Sequence, residues 1–114
     1  MATIYKICER TAWREAERAG LYRGSAVDLR DGFIHFSTAE QVAETAAKHF
    51  AGQTDLMLVA VDDETLGPKL KWETSRGGAL FPHLYAALPL STVRWAHPLP
   101  DERAGRREIT ELDP

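Results

Sequence analysis

The stretch DLMLVAVD at 55–62 is the strongest constraint on the fold of this chain. It is nearly continuously apolar, and a strand of that composition is covered by other elements on both faces. Periodicity alone does not distinguish such a strand from a buried helix. We predict a central strand at 55–62 that anchors the core.

Two helices are predicted, each after a strand. TIYKIC at 3–8 is rich in β-branched and aromatic residues and predicts an opening strand. We expect Thr11 to cap the helix that follows and Gly20 to end it. GFIHF at 32–36 predicts a short strand. In the helix that follows it, apolar residues recur every four positions, at Val42, Ala46 and Phe50, and we expect Gly52 to end the helix.

The remaining segments have weaker patterns. We predict a loop at 21–31, with at most a short edge strand, because glycine and aspartate interrupt it. PKLKWE at 68–73 alternates, which places Leu70 and Trp72 on one side and Glu73 on the other if the chain is extended. Prolines predict an irregular segment at 77–89, followed by a strand at 91–97.

These elements predict a compact α+β domain with mostly antiparallel pairing, because few helices are available to cover a parallel sheet. The length of 114 residues fits one domain, which we place at 1–100. The charged segment 101–114 has few apolar residues and is predicted to be a surface tail.

Charge and cysteine content exclude several functional classes. The formal net charge of −3 is unsuited to duplex nucleic acid, which needs a basic face, but a nucleotide-sized ligand fits. Cys8 is the single cysteine, so no internal disulfide forms, and we expect a cytoplasmic location. We see neither an export signal nor a membrane anchor.

The segment HFSTAEQ at 35–41 brings a histidine to the start of a helix. Two capping boxes overlap there, Ser37 with Glu40 and Thr38 with Gln41, and capping is the plain interpretation. A helix N-terminus also attracts phosphate or carboxylate, because its backbone N–H groups are unpaired. If the strand continues to Ser37, His35 and Ser37 project beside that end.

A second group of polar residues lies in WETSRGGALFPHLY at 72–85. It surrounds a glycine pair that allows close approach of a ligand to the backbone. In an extended chain His83 and Tyr85 share a face, whereas the structural alternative is a proline turn in which both bond to the backbone. Arg76 is either a solvated cation or a phosphate ligand.

The pieces GFIHFSTAEQVAETAAKHF, KWE and FPHLY resemble the small bacterial family known as domain of unknown function 952. That family is grouped with ADP-ribosyltransferase-like folds, in which small antiparallel sheets flank a cleft. The resemblance implies that His35 and Ser37 or Thr38 contact a ribose of NAD. It also implies that Glu73 completes a transferase site, although here Tyr85 follows this glutamate in the chain.

Our leading hypothesis is a nucleotide-binding domain that transfers ADP-ribose from NAD or processes a related phosphorylated ribose. His35 and Glu73 are the candidate catalytic residues. NAD or ADP-ribose is the expected cofactor, no resident metal is expected, and no protein partner is identified. The candidate ligand-binding residues are His35, Ser37, Thr38, Arg76, His83 and Tyr85.

Two alternatives come from other functional classes. A metal-dependent enzyme could use His35, Glu73 and His83 as a set of two histidines and one carboxylate. A non-catalytic module could present LFPHLYAALPL at 80–90 as a surface for a protein or a small acid.

Overall fold

The computed structural model describes residues 2–102, together with 107, 109 and 112, apart from the side chain of Arg76. The rest of the predicted tail at 101–114 lies outside the described residues. Within that tail, the Arg107 guanidinium donates to the backbone carbonyls of Phe50 and Gln53. Ile109 and Leu112 pack against one of the core clusters.

The described residues form three helices, nine strands and three short 3-10 segments. The helices are α1 (Arg10–Ala19), α2 (Ala26–Asp31) and α3 (Val42–His49). The strands are β1 (Thr3–Glu9), β2 (Leu21–Tyr22), β3 (Ile34–His35), β4 (Ser37–Thr38), β5 (Leu56–Asp62), β6 (Leu70–Thr74), β7 (Leu80–Leu84), β8 (Leu88–Pro89) and β9 (Val93–Pro98). The 3-10 segments are Asp63–Lys69, Arg76–Gly78 and Leu90–Thr92.

All strand pairs in the described residues are antiparallel, and they build three sheets. The largest sheet has the order β4-β1-β5-β9, a second has the order β3-β7-β6, and β2 pairs with β8. The predicted α+β class with antiparallel pairing is therefore confirmed.

The predicted central strand is β5, which lies between β1 and β9. Its alternate side chains enter two different core clusters. Met57 and Val59 pack with Trp13 of α1, whereas Leu58 packs with Val42 of α3. The prediction that this strand is covered on both faces is confirmed.

Helix α1 begins earlier than predicted. Glu9 is its N-cap, without a side-chain hydrogen bond, so the prediction of Thr11 as the cap is wrong. The strand β1 runs directly into this helix, which leaves Thr11 inside the first turn. Gly20 ends the helix in the left-handed conformation at φ 81°, as predicted.

The segment predicted as a loop at 21–31 contains helix α2 as well as the short strand β2. A capping box starts the helix: the Ser25 hydroxyl accepts from the Asp28 N–H, and the Asp28 carboxylate accepts from the Ser25 N–H. Gly24 precedes it at φ 117°, where an added Cβ would lie 2.8 Å from the Cβ of Asp28. The loop prediction failed because a helix of six residues is too short to show periodicity.

The segment predicted as irregular at 77–89 contains β7 and β8, so that prediction is wrong. Pro82 lies in β7, the middle strand of its sheet. Its carbonyl accepts from the Phe36 N–H at 3.0 Å, and the N and C=O of one strand residue point to the same side. The missing N–H of Pro82 therefore faces the point where β3 has already ended at His35.

Of the strand predicted at 32–36, only Ile34–His35 is extended as β3, and a second short strand, β4, follows at Ser37–Thr38. β3 pairs with β7, and β4 pairs with β1 of the larger sheet. The chain therefore passes from one sheet to the other within five residues, at Phe36. No helix of the described residues has the length and apolar character needed to cross a membrane.

We expect Trp13→Ala to lower the free energy of unfolding by about 3–5 kcal/mol, because it removes a large core side chain. Trp13 is 2% exposed and its ring lies 5.9 Å from that of Tyr22. Trp72→Ala is the matched control, since Trp72 is 40% exposed. Urea denaturation measures both; an equal loss in the two variants would contradict this account of the core.

Candidate functional site

The candidate site lies on one face of the sheet β3-β7-β6. Side chains alternate between the faces of a strand, and directly paired residues share a face. His83 pairs with His35 on one side and with Lys71 on the other. The neighbouring residues Ile34 and Leu84 point to the opposite face and belong to the core. Burial of that core face therefore presents the histidines on the other one.

A single aromatic ring, Phe33, organises this face. It stacks on His83 with ring centroids 4.1 Å apart, and it lies 4.5 Å from His35 and 5.2 Å from Tyr85. The two imidazole rings are 5.6 Å apart. We call Phe33, His35, Glu73, His83 and Tyr85 the histidine cluster; four of these five are residues that the sequence singled out.

Asp28 holds His35 in place from behind the cluster. Its carboxylate lies 2.6 Å from His35 Nδ1 and accepts from the His35 backbone N–H at 3.1 Å. Lys6 Nζ approaches the two carboxylate oxygens at 2.8 and 3.0 Å. Lys6 and Asp28 are 5% and 2% exposed, so this is a buried ion pair.

The charge of Asp28 is maintained in spite of its burial. Burial favours the neutral carboxyl, but the hydrogen bond from His35 and the ammonium of Lys6 outweigh it. The pKa of Asp28 consequently lies well below its ordinary value. An ionised carboxylate only accepts hydrogen bonds, so it fixes Nδ1 of His35 as a protonated nitrogen.

The other nitrogen of His35 also faces a carboxylate. Nε2 lies 3.0 Å from Asp31 Oδ2, at the end of α2. Because carboxylates only accept, His35 forms both hydrogen bonds only when it carries two protons. His35 is thereby clamped between two acids from a single helix.

His83 has a different arrangement. Its Nδ1 lies 2.9 Å from Glu73 Oε1, and the Tyr85 hydroxyl donates to the same oxygen at 2.7 Å. Hydrogen bonds from Tyr85 and His83 hold the pKa of Glu73 below its ordinary value, and the carboxylate in turn raises the pKa of Tyr85. His83 and Tyr85 therefore lie on the same face of an extended segment, as the sequence predicted, and do not form a proline turn.

Ser37 and Thr38 form their hydrogen bonds outside the histidine cluster. Ser37 Oγ lies 2.8 Å from Thr45 Oγ1 of α3. Thr38 and Gln41 bond reciprocally, at 3.0 and 3.3 Å, in the turn before α3. Neither predicted capping box caps α3, because the N-cap of this helix is Gln41, without a side-chain hydrogen bond. The Thr38 and Gln41 pair closes the turn before the helix, and the Ser37 hydroxyl is taken by Thr45.

The predicted phosphate ligand Arg76 belongs to a 3-10 segment between β6 and β7, and its side chain lies outside the described part of the chain. Lys71 is a cation on the face of the histidine cluster, and its charge acts on Glu73. Among the described residues, no group of three His, Cys, Asp or Glu has the arrangement of a metal site. His35, Glu73 and His83 therefore lie together without forming such a set.

Cys8 does not belong to this site. Its thiol is buried in the core, and burial raises its pKa to about 12. A thiol of that pKa stays protonated at neutral pH, which agrees with its predicted role as a small apolar group.

Sequence reasoning missed four contributors to the site: Lys6, Asp28, Asp31 and Phe33. The available signal was Ser25-x-x-Asp28, which marks a helix start, with Gly32 as its stop. A helix there places Asp28 and Asp31 on adjacent turns, three residues apart. Lys6 carries no comparable signal, because its strand resembles any other buried strand.

We expect Asp28→Asn to cost about 3–5 kcal/mol of unfolding free energy, because it leaves the Lys6 ammonium buried without a counter-charge. The double variant Lys6→Met/Asp28→Asn should recover much of that loss. Urea denaturation of the single and double variants measures the difference. An additive double variant would show that the pair is not coupled.

Stability should also fall when the pH is lowered through about 4, the ordinary range of an aspartate. There the unfolded chain takes up a proton on Asp28, whereas the folded carboxylate, with its lowered pKa, stays ionised. Urea midpoints at neutral pH and near pH 3 measure the effect. Lys6→Met/Asp28→Asn should lose less stability than the unmodified chain, and an equal loss would contradict the assignment.

Comparisons with known proteins agree with this fold. A family model described as protein of unknown function (DUF952) matches residues 7–96. The X-ray structure of protein CC0527 from Caulobacter crescentus is similar, with 53% identity, 93% of each chain covered and a TM-score of 0.89. Its solution NMR structure has 54% identity over 94% of this chain and 91% of that chain, with a TM-score of 0.82. No curated protein matches. The chain belongs to the DUF952 family.

Proposed function

We propose that the histidine cluster binds a small ligand that carries a ribose, with NAD or ADP-ribose as the leading candidates. The observation that carries this proposal is the pair of carboxylate-held imidazoles that both contact Phe33. Ligand sites combine an apolar surface with a few fixed polar groups, and this face of the sheet has both.

Two partly exposed carboxylates supply acceptors for sugar hydroxyls. The side chains of Asp31 and Glu73 are 31% and 39% exposed, and each is already oriented by a histidine. A carboxylate is a natural acceptor for a ribose hydroxyl, as in the acidic residue of dinucleotide folds. Orientation before binding lowers the entropy lost when the ligand is held.

The aromatic rings supply the apolar part. Phe33 is half-buried and stacks on the buried ring of His83, and Tyr85 is exposed at the margin of the cluster. A purine or a nicotinamide ring can pack against such a surface through offset stacking. Trp72 is exposed as well, but the register of β6 places it on the opposite face of the sheet.

Phosphate groups of the ligand need cations nearby. Lys71 shares the face of the cluster, and Arg76 follows two residues after the end of β6. We assign phosphate contact to these two residues. The hydroxyls of Ser37 and Thr38 and the backbone N–H of Thr38 are engaged within the fold, so the proposal assigns these two residues no direct contact with the ligand.

The resemblance of the family to ADP-ribosyltransferase-like folds is the second support for NAD or ADP-ribose. In that proposal His35 contacts the ribose, and transfer of ADP-ribose is the candidate reaction. Binding does not require the reaction, so a ligand-binding module without catalysis gives the same result in a binding experiment. Turnover of NAD is measured separately.

Calorimetry with NAD and with ADP-ribose tests the proposal. His35→Ala should weaken binding about tenfold or more, which corresponds to ~1.4 kcal/mol. Phe33→Leu should also weaken it, because it removes the aromatic surface while keeping an apolar side chain. His97→Ala is the matched control, since His97 is an exposed histidine of β9 in the other sheet.

The control should bind as the unmodified chain does. Circular dichroism and urea denaturation establish that each variant is folded before its affinity is compared. If the folded, unmodified chain gives no binding heat with either ligand, the proposed function is wrong.

A further inference from the structure

The two histidines of the cluster differ in what their second nitrogen contacts. Both nitrogens of His35 face carboxylates, those of Asp28 and Asp31. His83 uses Nδ1 for Glu73, and no hydrogen bond from the described residues reaches its Nε2. His83 is therefore the imidazole of the cluster whose second nitrogen has no hydrogen bond within the described residues, in a side chain that is 7% exposed.

The contacts of His83 also fix its tautomer. Glu73 is ionised and accepts from Nδ1, so the proton of the neutral ring lies on Nδ1 and the lone pair lies on Nε2. The ring plane is held by Phe33, which stacks on it at an interplanar angle of 26°. An imidazole fixed in orientation and tautomer by a carboxylate is the arrangement of a general base.

We propose that His83 Nε2 accepts a proton from a hydroxyl of the bound ligand, and that Glu73 and Tyr85 are positioning residues for it. This inference rests on the binding proposed above. It also changes the role of Glu73, which the resemblance implied would complete a transferase site, to orienting the base.

The step is balanced within the site. The O–H bond of the ligand breaks, its electron pair stays on oxygen, and the proton forms a bond to Nε2. The ring then carries two protons, and the charge of Glu73 compensates the imidazolium at 2.9 Å. Tyr85 keeps the carboxylate aimed at Nδ1 through its 2.7 Å hydrogen bond. Lys71, on the same face, favours the negative charge on the ligand oxygen.

Long-range proton–nitrogen NMR of the 15N-labelled chain tests the positioning. At pH 7.5 the free, unmodified protein should show His83 as a single tautomer with the proton on Nδ1. Glu73→Gln should produce a mixture of tautomers. Trp72→Phe, on the opposite face of β6, is the control, and the Nδ1–H tautomer should remain in it. A proton on Nε2 in the free, unmodified protein would overturn the inference.

Titration with ADP-ribose tests the contact with the ligand. The Nε2 resonance of His83 should shift on binding, whereas both nitrogens of His97 should stay unchanged. Binding by calorimetry without a change at His83 Nε2 would overturn the inference and leave the proposed function standing. Absence of binding would overturn the proposed function and, with it, the proton transfer to His83.

Discussion

The buried ion pair of Lys6 and Asp28 is the interaction on which the rest of the site depends. It connects β1 of the large sheet to helix α2, and the same carboxylate receives both the backbone and the imidazole of His35. An aspartate without Lys6 would be costly to bury in ionised form, and a neutral one would not orient His35 in the same way. The position of the first histidine therefore follows from a charge pair inside the protein.

The second histidine depends on the small sheet instead. Pairing of β7 with β6 brings His83 and Glu73 to the same face, and the core contacts of Leu84 and Leu70 decide which face that is. Phe33 contacts both imidazoles, which also lie edge to face against each other. The site thus joins helix α2 to the three strands of the small sheet, and its polar groups are supported by apolar packing on the opposite face of that sheet.

Several elements of the fold could be predicted from the sequence, wherever a local pattern is typical of a single structure. The apolar run of β5 indicated a buried element, although not by itself a strand, and Gly20 marked the end of α1. Helix α2 was missed because six residues are too short for periodicity to show. The partners of His35 and His83 depend on pairing between distant strands, which no local pattern specifies.

Pro82 illustrates how a single missing hydrogen can set the path of a chain. The Phe36 N–H donates to the carbonyl of Pro82, but Pro82 has no N–H to donate to the carbonyl of Phe36. The ladder stops there, and the next two residues pair with β1 of the other sheet. Pro82 thus marks the point, at Phe36, where the chain leaves the small sheet for the large one. His35, the residue before this point, stays on the face of the small sheet that lies away from the core.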